Sequence, residues 1–380
     1  LLIEGFATAQ GTKHYAELCA GFTAVGHFSE FLKTRMRLSS LGIGTFPGLA
    51  DGQVDRAIAD IVARAVGGGI NVIDTATHYR YGRSLKAVGL GLQKAFDQGV
   101  AREAVYIVSK GGFLCFPDGP PADFNNWFES EIVAQGLGSL EDLAASCHLL
   151  TPAHIRHQLD QSRTQIGVNT LDAFLIDQPE IHIAEIGKEN LNRKLLPVFV
   201  ELEKAVAEGV LRGYGISTFN GFRVATDDVM FQSLTSLLGL AEKAAKQVLG
   251  GNGQHHFQLI QMPFNQVMTE GFTRFSQATG QDNIASTVQA AYQLNLYVMS
   301  SHSLMKGKLA QQSLDIVTKM TSDLENPAQR AMQFNRSTPG IGTALVGMSQ
   351  ERHLDDMLKV AATVPLERKT YLQMYQRTEE

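Results

Sequence analysis

The stretch Asn71-Val72-Ile73-Asp74-Thr75-Ala76-Thr77-His78-Tyr79 joins a short apolar run to a carboxylate, and a phenol follows five residues later. A second run, Val105-Tyr106-Ile107-Val108-Ser109, ends on Lys110. β-Branched residues at Ile70, Val72 and Ile73 read as a buried strand, with Gly67, Gly68 and Gly69 before it as a helix stop. Asp74 and Lys110 are therefore expected at the C-terminal tips of parallel strands, where barrel and open-sheet enzymes place their chemistry. Aspartate, tyrosine and lysine converging at one barrel mouth make a proton-donating site. The leading expectation is an enzyme.

Eight runs have strand character: Leu41 to Thr45, Ile70 to Asp74, Val105 to Lys110, Leu171 to Asp177, Leu211 to Ser217, Phe257 to Met262, Leu296 to Ser300 and Thr343 to Gly347. Helical patterns follow nearly all of them. Val54, Ile58, Ile61, Val62 and Ala65 recur at a helical period. Thr151-Pro152 pairs a cap residue with proline at the first helical position, ahead of Ile155, Leu159 and Ile166. Leu195, Phe199, Leu202 and Val206 form a third pattern that Gly209 closes. Alternating strands and helices imply right-handed crossovers and a parallel sheet. Eight such units predict an α/β fold of the (β/α)8 TIM barrel type, spanning residues 40–380 without an internal linker.

Two segments fall outside the eight units. Residues 1–39 show no clear periodicity and are expected as an N-terminal extension over the barrel's bottom or an edge. Residues 111–150 form a long insertion after the third strand, where a simple βα loop takes only a few residues. It contains Phe113, Phe116, Phe124, Trp127 and Phe128, stiffened by Pro117, Pro120 and Pro121. Two readings stand side by side: a lid or pocket wall over the barrel mouth, or a packing appendage.

The bulk properties narrow the function. Of 380 residues, 44% are hydrophobic, which suits a globular protein rather than a disordered chain. Lys+Arg of 33 against Asp+Glu of 38 leaves a net charge of −5 with no basic block, so neither nucleic acid nor a membrane is an expected partner. Cys19, Cys115 and Cys147 form no close pair, which fits reduced thiols and a cytoplasmic protein. No secretory signal or bilayer-spanning apolar run is evident. The chain starts at Leu1 rather than Met, so an upstream segment is expected.

In order along the chain, these motifs resemble the aldo-keto reductase superfamily. Leu41-Gly-Ile-Gly-Thr45 is similar to its first strand, Asp74-Thr-Ala-Thr-His-Tyr79 to its D-T-A-x-x-Y motif, and Val108-Ser-Lys-Gly111 to its catalytic-lysine strand. Gly215-Ile-Ser-Thr-Phe219 resembles the G-x-S-N-F segment, with Thr218 where asparagine is usual. Gln261 resembles the glutamine that meets the nicotinamide, and Ala344 to Leu354 the cofactor-phosphate strand and helix. The extended N-terminus and Arg336-Ser-Thr-Pro-Gly340 resemble a bacterial subgroup of reductases.

The resemblance implies reduction of a carbonyl or an activated double bond of a small molecule with NADP(H). Tyr79 would act as general acid, Lys110 would stabilise its phenolate, and Asp74 would hold Lys110. One departure stands at the heart of this set: the family's fourth strand usually ends in histidine, and here Leu171 to Pro179 place Asp177 there. Charged, Asp177 would oppose a developing oxyanion. Kept neutral by burial, it would donate a hydrogen bond, as a protonated aspartate does in ketosteroid isomerase. Two lesser departures are Ser301, where an aromatic commonly stacks on the nicotinamide, and Met357, near the usual asparagine of the last helix.

For the cofactor, Gly42 to Pro47 imitates a Rossmann turn but lacks its last glycine and a clear downstream acid. The barrel mode is expected instead, with Gly44, Thr45 and Asp74 at the first two strand tips and Ser217, Thr218 and Gln261 on the nicotinamide. Leu304, Lys306 and Lys308 would line the pyrophosphate, and Ser301 would stand where the stacking aromatic is usual. Gly347, Ser349 and Arg352 would begin a last helix whose amides receive a phosphate, with Arg352 selecting the 2′-phosphate of NADP. No metal site is expected: His154/His157 and His255/His256 lack accompanying ligands. Two alternatives stay open, a redox-neutral enzyme on the same barrel and a nucleotide-binding regulatory or scaffold protein.

Overall fold

Each of the eight apolar runs forms a strand in the computed structural model, which describes residues 2–117, 119–251, 253–280 and 283–375. Position 1 of the N-terminal segment and positions 376–380 of the expected barrel segment lie outside the described residues. The strands are β1 (Leu41–Gly44), β2 (Val72–Asp74), β3 (Tyr106–Gly111), β4 (Ala173–Asp177), β5 (Tyr214–Ser217), β6 (Phe257–Pro263), β7 (Tyr297–Ser301) and β8 (Thr343–Gly347). They close in sequence order into one barrel, and every neighbouring pair is parallel. The fold is a (β/α)8 TIM barrel.

Helices α1 (Gly52–Gly67), α2 (Arg83–Asp97), α3 (Pro152–Ile166), α4 (Ile183–Ala207), α5 (Leu234–Leu249), α6 (Thr287–Gln293), α7 (Pro327–Arg336) and α8 (Glu351–Ala361) surround it. Local chemistry sets their ends. Asp51 caps α1 by accepting from the Gln53 and Val54 amides, both at 2.9 Å. Thr151 caps α3, which ends on left-handed Gly167. Strand β2 starts two residues later than expected because the Ile70 amide closes α1 by donating to Ala65 O at 2.9 Å. Among the described residues, no helix is long and apolar enough to cross a membrane.

The segment before β1 holds a helix over Ala9–Cys19 and an antiparallel hairpin, Phe28–Phe31 with Met36–Ser39. Phe31, Met36 and Leu38 pack with Tyr106, Ala173, Leu259 and Tyr297 inside the barrel, so the hairpin plugs its N-terminal end. Asn71 ties plug to barrel: its Oδ1 accepts from Ser39 N, and its Nδ2 donates to Arg37 O and Ala104 O. The buried pair Arg102–Asp172, at 2.8 Å, and the Ala7 amide on Asp172 anchor the same end.

Strand alternation then dictates the mouth. Val72, Val108, Leu175, Leu259, Met299 and Leu345 fill the interior. Two residues further on, the inward positions are Asp74, Lys110, Asp177, Gln261, Ser301 and Gly347. Polar side chains thus form one layer directly above an apolar floor.

Candidate active site

Lys110 is fully buried, and its ammonium spends all three donors. Nζ donates to Asp74 Oδ2 at 2.6 Å, to Thr75 O at 3.0 Å and to the Tyr79 hydroxyl oxygen at 3.0 Å. The loop that carries Tyr79 is laid along β3: Thr75 N donates to Val108 O at 2.9 Å and Thr77 N to Lys110 O at 3.2 Å. Gln261 Nε2 donates to Asp74 Oδ1 at 2.9 Å, and Ser217 Oγ donates to Gln261 Oε1 at 3.2 Å. Asp74, Tyr79, Lys110, Ser217 and Gln261 are therefore one hydrogen-bonded group.

The electrostatics follow from this packing. Burial raises the Tyr79 pKa well above that of a free phenol, Lys110 opposes the rise, and Asp74 and Asp177 add to it. Tyr79 stays protonated at neutral pH. Burial alone would lower the Lys110 pKa, but Asp74, Tyr79 and Asp177 outweigh it and hold the ammonium charged. Asp177 lies in register with Ser217. Burial pushes its carboxyl up to about 6, against the opposing pull of Lys110.

A profile of the aldo/keto reductase family matches residues 40–227, from the start of β1 past the end of β5. The chain belongs to the aldo/keto reductase family. Among curated proteins, the D-threo-aldose 1-dehydrogenase of a Pseudomonas species is 29% identical over 177 residues, 44% of this chain and 47% of that protein. The NADH-specific methylglyoxal reductase of Escherichia coli K12 is 31% identical over 150 residues, 37% of this chain and 39% of that protein. The matched stretch thus spans less than half the length of either relative. A Klebsiella pneumoniae aldo/keto reductase, solved in complex with NADP and acetate, has the same fold at a TM-score of 0.57. It is 17% identical, with 91% of this chain and 94% of that one covered.

The remaining candidate residues of this family member lie outside this side-chain network, and two of them bond its backbone. Gly44 and Gly347 are paired at the tips of β1 and β8, and the Thr45 hydroxyl donates to Asp74 O at 3.2 Å. Thr218 N donates to Gln261 O at 2.9 Å, while its hydroxyl accepts from Phe222 N at 3.3 Å. Ser301 ends β7 opposite Pro263, followed by half-buried Leu304 and exposed Lys306 and Lys308. Half-buried Ser349 and exposed Arg352 stand at the start of α8, whose N-terminus has no side-chain cap.

Phe46 and Arg80 border the site without a signal in spacing or composition, while Phe113 comes from the aromatic insertion. The Phe46 ring meets the Tyr79 ring edge-on at 5.2 Å, and Phe113 lies 4.8 Å from His78, ring centre to ring centre. Burial first and Lys110 second lower the His78 pKa to about 3, so its imidazole is neutral. Arg80, Tyr81 and Gly82 follow Tyr79 in three successive left-handed conformations. Arg80 secures that turn by donating to Leu49 O, Asp51 O and Asp55 Oδ1. A D-T-A-x-x-Y reading stops one residue short of this anchor.

Proposed function

We propose that the protein is an NADP(H)-dependent oxidoreductase that reduces a carbonyl or an activated double bond of a small molecule, with Tyr79 as general acid. The observation that carries this reading is the direction of the bond between Lys110 and Tyr79. An ammonium has no acceptor, so the Tyr79 oxygen must accept from it. The tyrosine's own proton is then free to point at a substrate oxygen. Lys110 stabilises the phenolate that forms, and Asp74 keeps Lys110 charged and aimed.

The rim fits the implied cofactor. Lys306, Lys308 and Arg352 take part in no ion pair among the described residues, and α8 offers uncapped first-turn amides beside Arg352. Leu304, Lys306 and Lys308 would take the pyrophosphate. Gly347 and Ser349 would border the 2′-phosphate of NADP that Arg352 holds by a charge-assisted contact. Ser217, Thr218 and Gln261 would orient the nicotinamide, with Gly44, Thr45 and Ser301 bordering it. Bound NADPH would supply the hydride to the substrate carbon. Asp177, already raised toward neutrality, would be protonated in the working complex and donate a second hydrogen bond to the substrate oxygen.

Fluorescence titration with NADPH and NADH tests the cofactor, followed by turnover on a panel of aldehydes, ketones and enones. Tight NADPH binding with turnover that Tyr79→Phe abolishes is the expected result. Absence of binding by either nucleotide would overturn the reading and favour a scaffold role.

A further inference from the structure

The insertion after β3 returns to the barrel at His148. A small antiparallel ladder, Leu143–Ala144 with His148–Leu149, brings it back. There the chain runs along the exit of β3: Leu149 N donates to Gly112 O, and Leu114 N donates to Cys147 O, both at 2.8 Å. The His148 ring is fully buried and lies directly over Gly112. A Cβ on Gly112 would fall 2.3 Å from Nε2, and Gly112 has a left-handed φ of +123°, so glycine is required there twice over.

Both ring nitrogens of His148 are engaged. Nε2 lies 2.7 Å from the Asp177 backbone oxygen, and Nδ1 lies 2.9 Å from His182 Nε2. A carbonyl oxygen can only accept, so Nε2 carries the proton. Burial, reinforced by His182, lowers the His148 pKa to about 3 and keeps the ring neutral. Nδ1 then accepts from His182 Nε2–H, which fixes the tautomer.

The two partners of His148 are the ends of one strained segment. Between Asp177 and His182 the chain passes through Gln178 at φ 49° and ψ 52°, immediately before Pro179. A left-handed non-glycine residue is uncommon, and helical backbone before proline is disfavoured. Such strain, of order 1–3 kcal/mol, persists only where surrounding bonds over-determine it. The bonds here are the Gln178 amide to Ser217 O at 2.7 Å, the one His148 Nε2 donates to Asp177 O and the one His148 Nδ1 accepts from His182.

We infer that His148 is a positioning residue for Asp177. The insertion serves the site as a brace: it holds the Asp177 carbonyl so that the carboxyl on the same residue faces Lys110 and Ser217. This rests on the proposed role of Asp177 in the reduction.

The test compares His148→Leu with His148→Gln, whose amide N–H can still reach the Asp177 carbonyl. Two readouts are taken: kcat and KM across pH, and unfolding free energy across pH without cofactor. For His148→Leu, kcat should fall about tenfold or more with NADPH affinity unchanged, since a small misalignment of a reacting group costs that much. The share of the stability decline that belongs to Asp177 should flatten, because a released carboxyl returns toward its ordinary pKa. The neighbouring Glu180 carboxyl, also raised to about 6 by burial, keeps its own share. His148→Gln should stay near the wild type in both. Equal losses in the two variants, or no change in either readout for His148→Leu, would overturn the inference. If His148→Leu does not fold, His182→Leu decides: the same changes at smaller size support the brace, and unaltered profiles sink it. The cofactor-free readout separates this test from the proposed function, whose own failure would show as absent NADPH binding and turnover.

Discussion

Gln261 reaches across the barrel mouth to Asp74, from β6 to the strand diametrically opposite, and donates to Oδ1 at 2.9 Å while Lys110 holds Oδ2. Both oxygens of the buried carboxylate are thereby committed, and the aspartate is the hub of the site. Asp74→Asn would leave a buried ammonium facing a neutral amide. Removing one partner of a buried pair typically costs about 3–5 kcal/mol. We expect a loss of that order in urea unfolding, together with loss of turnover. A variant as stable as the parent would show that Asp74 is not the counter-ion that Lys110 needs.

Asp177 sets a pH dependence whose sign can be worked out. Its carboxyl titrates at about 6 in the fold against an ordinary 3.8, so the folded state binds the extra proton between those values. The Asp177 contribution to stability is then full at low pH and is lost as pH rises from about 4 through about 6. Asp177→Asn removes this share of the decline and leaves that of Glu180, whose buried carboxyl is likewise raised to about 6. At neutral pH it should be more stable than the parent by roughly 1–3 kcal/mol, since a tenfold difference in proton affinity between folded and unfolded chain is worth about 1.4 kcal/mol. Parallel stability–pH curves for the two proteins would refute the raised carboxyl. In turnover, the asparagine variant should lose any pH-rate limb that belongs to Asp177.

The barrel was legible because buried parallel strands read as continuous apolar runs, as Ile70 to Asp74 and Val105 to Lys110 do. Spacing then placed Asp74 and Lys110 at strand tips. The N-terminal helix gave no comparable signal, since only Thr12, Tyr15 and Cys19 are buried on it. The plug hairpin was equally silent: its apolar residues fill the barrel floor, a destination no local pattern encodes. His148 and Arg80 lie beyond sequence reading for a related reason. His148 reaches Asp177 only once the insertion has folded back, and Arg80 acts on carbonyls, which every residue possesses. The insertion's aromatic residues were conspicuous, but much of their role is internal. Phe128 packs with Leu114, Ile132, Leu137 and Leu149, and Phe116, Phe124 and Trp127 lie against that small core.

Nucleotide preference should rest on Arg352. It is exposed at an uncapped helix start and pairs with no carboxylate among the described residues, whereas the neighbouring Glu351 is taken by Arg64 at 2.9 Å. Arg352→Glu should weaken NADPH binding about 10–100-fold, the size of a lost charge-assisted bond of roughly 1.5–3 kcal/mol. NADH binding should change little. Equal weakening of both nucleotides, measured by fluorescence titration, would remove Arg352 from the phosphate site.

Arg80 offers the sharpest test of how Tyr79 is held. Its guanidinium is buried, pairs with Asp55 at 2.7 Å and donates to two backbone carbonyls of the β1–α1 loop. Those bonds fix the left-handed turn Arg80-Tyr81-Gly82 that begins immediately after the phenol. Arg80→Ala leaves Lys110 and Asp74 untouched but frees the turn, so the Tyr79 oxygen should drift from its 3.0 Å contact with Nζ. Misplacing a reacting group by about 1 Å can cost roughly a hundredfold in rate. We expect a kcat loss of that order with NADPH affinity preserved, and a pH profile altered where Tyr79 titrates. Stability should fall as well, because Asp55 keeps only Arg83 as a partner. If kcat survives while stability falls, Arg80 holds the loop without aiming the acid, and Tyr79 must be positioned by Lys110 and the Thr75 and Thr77 amides alone.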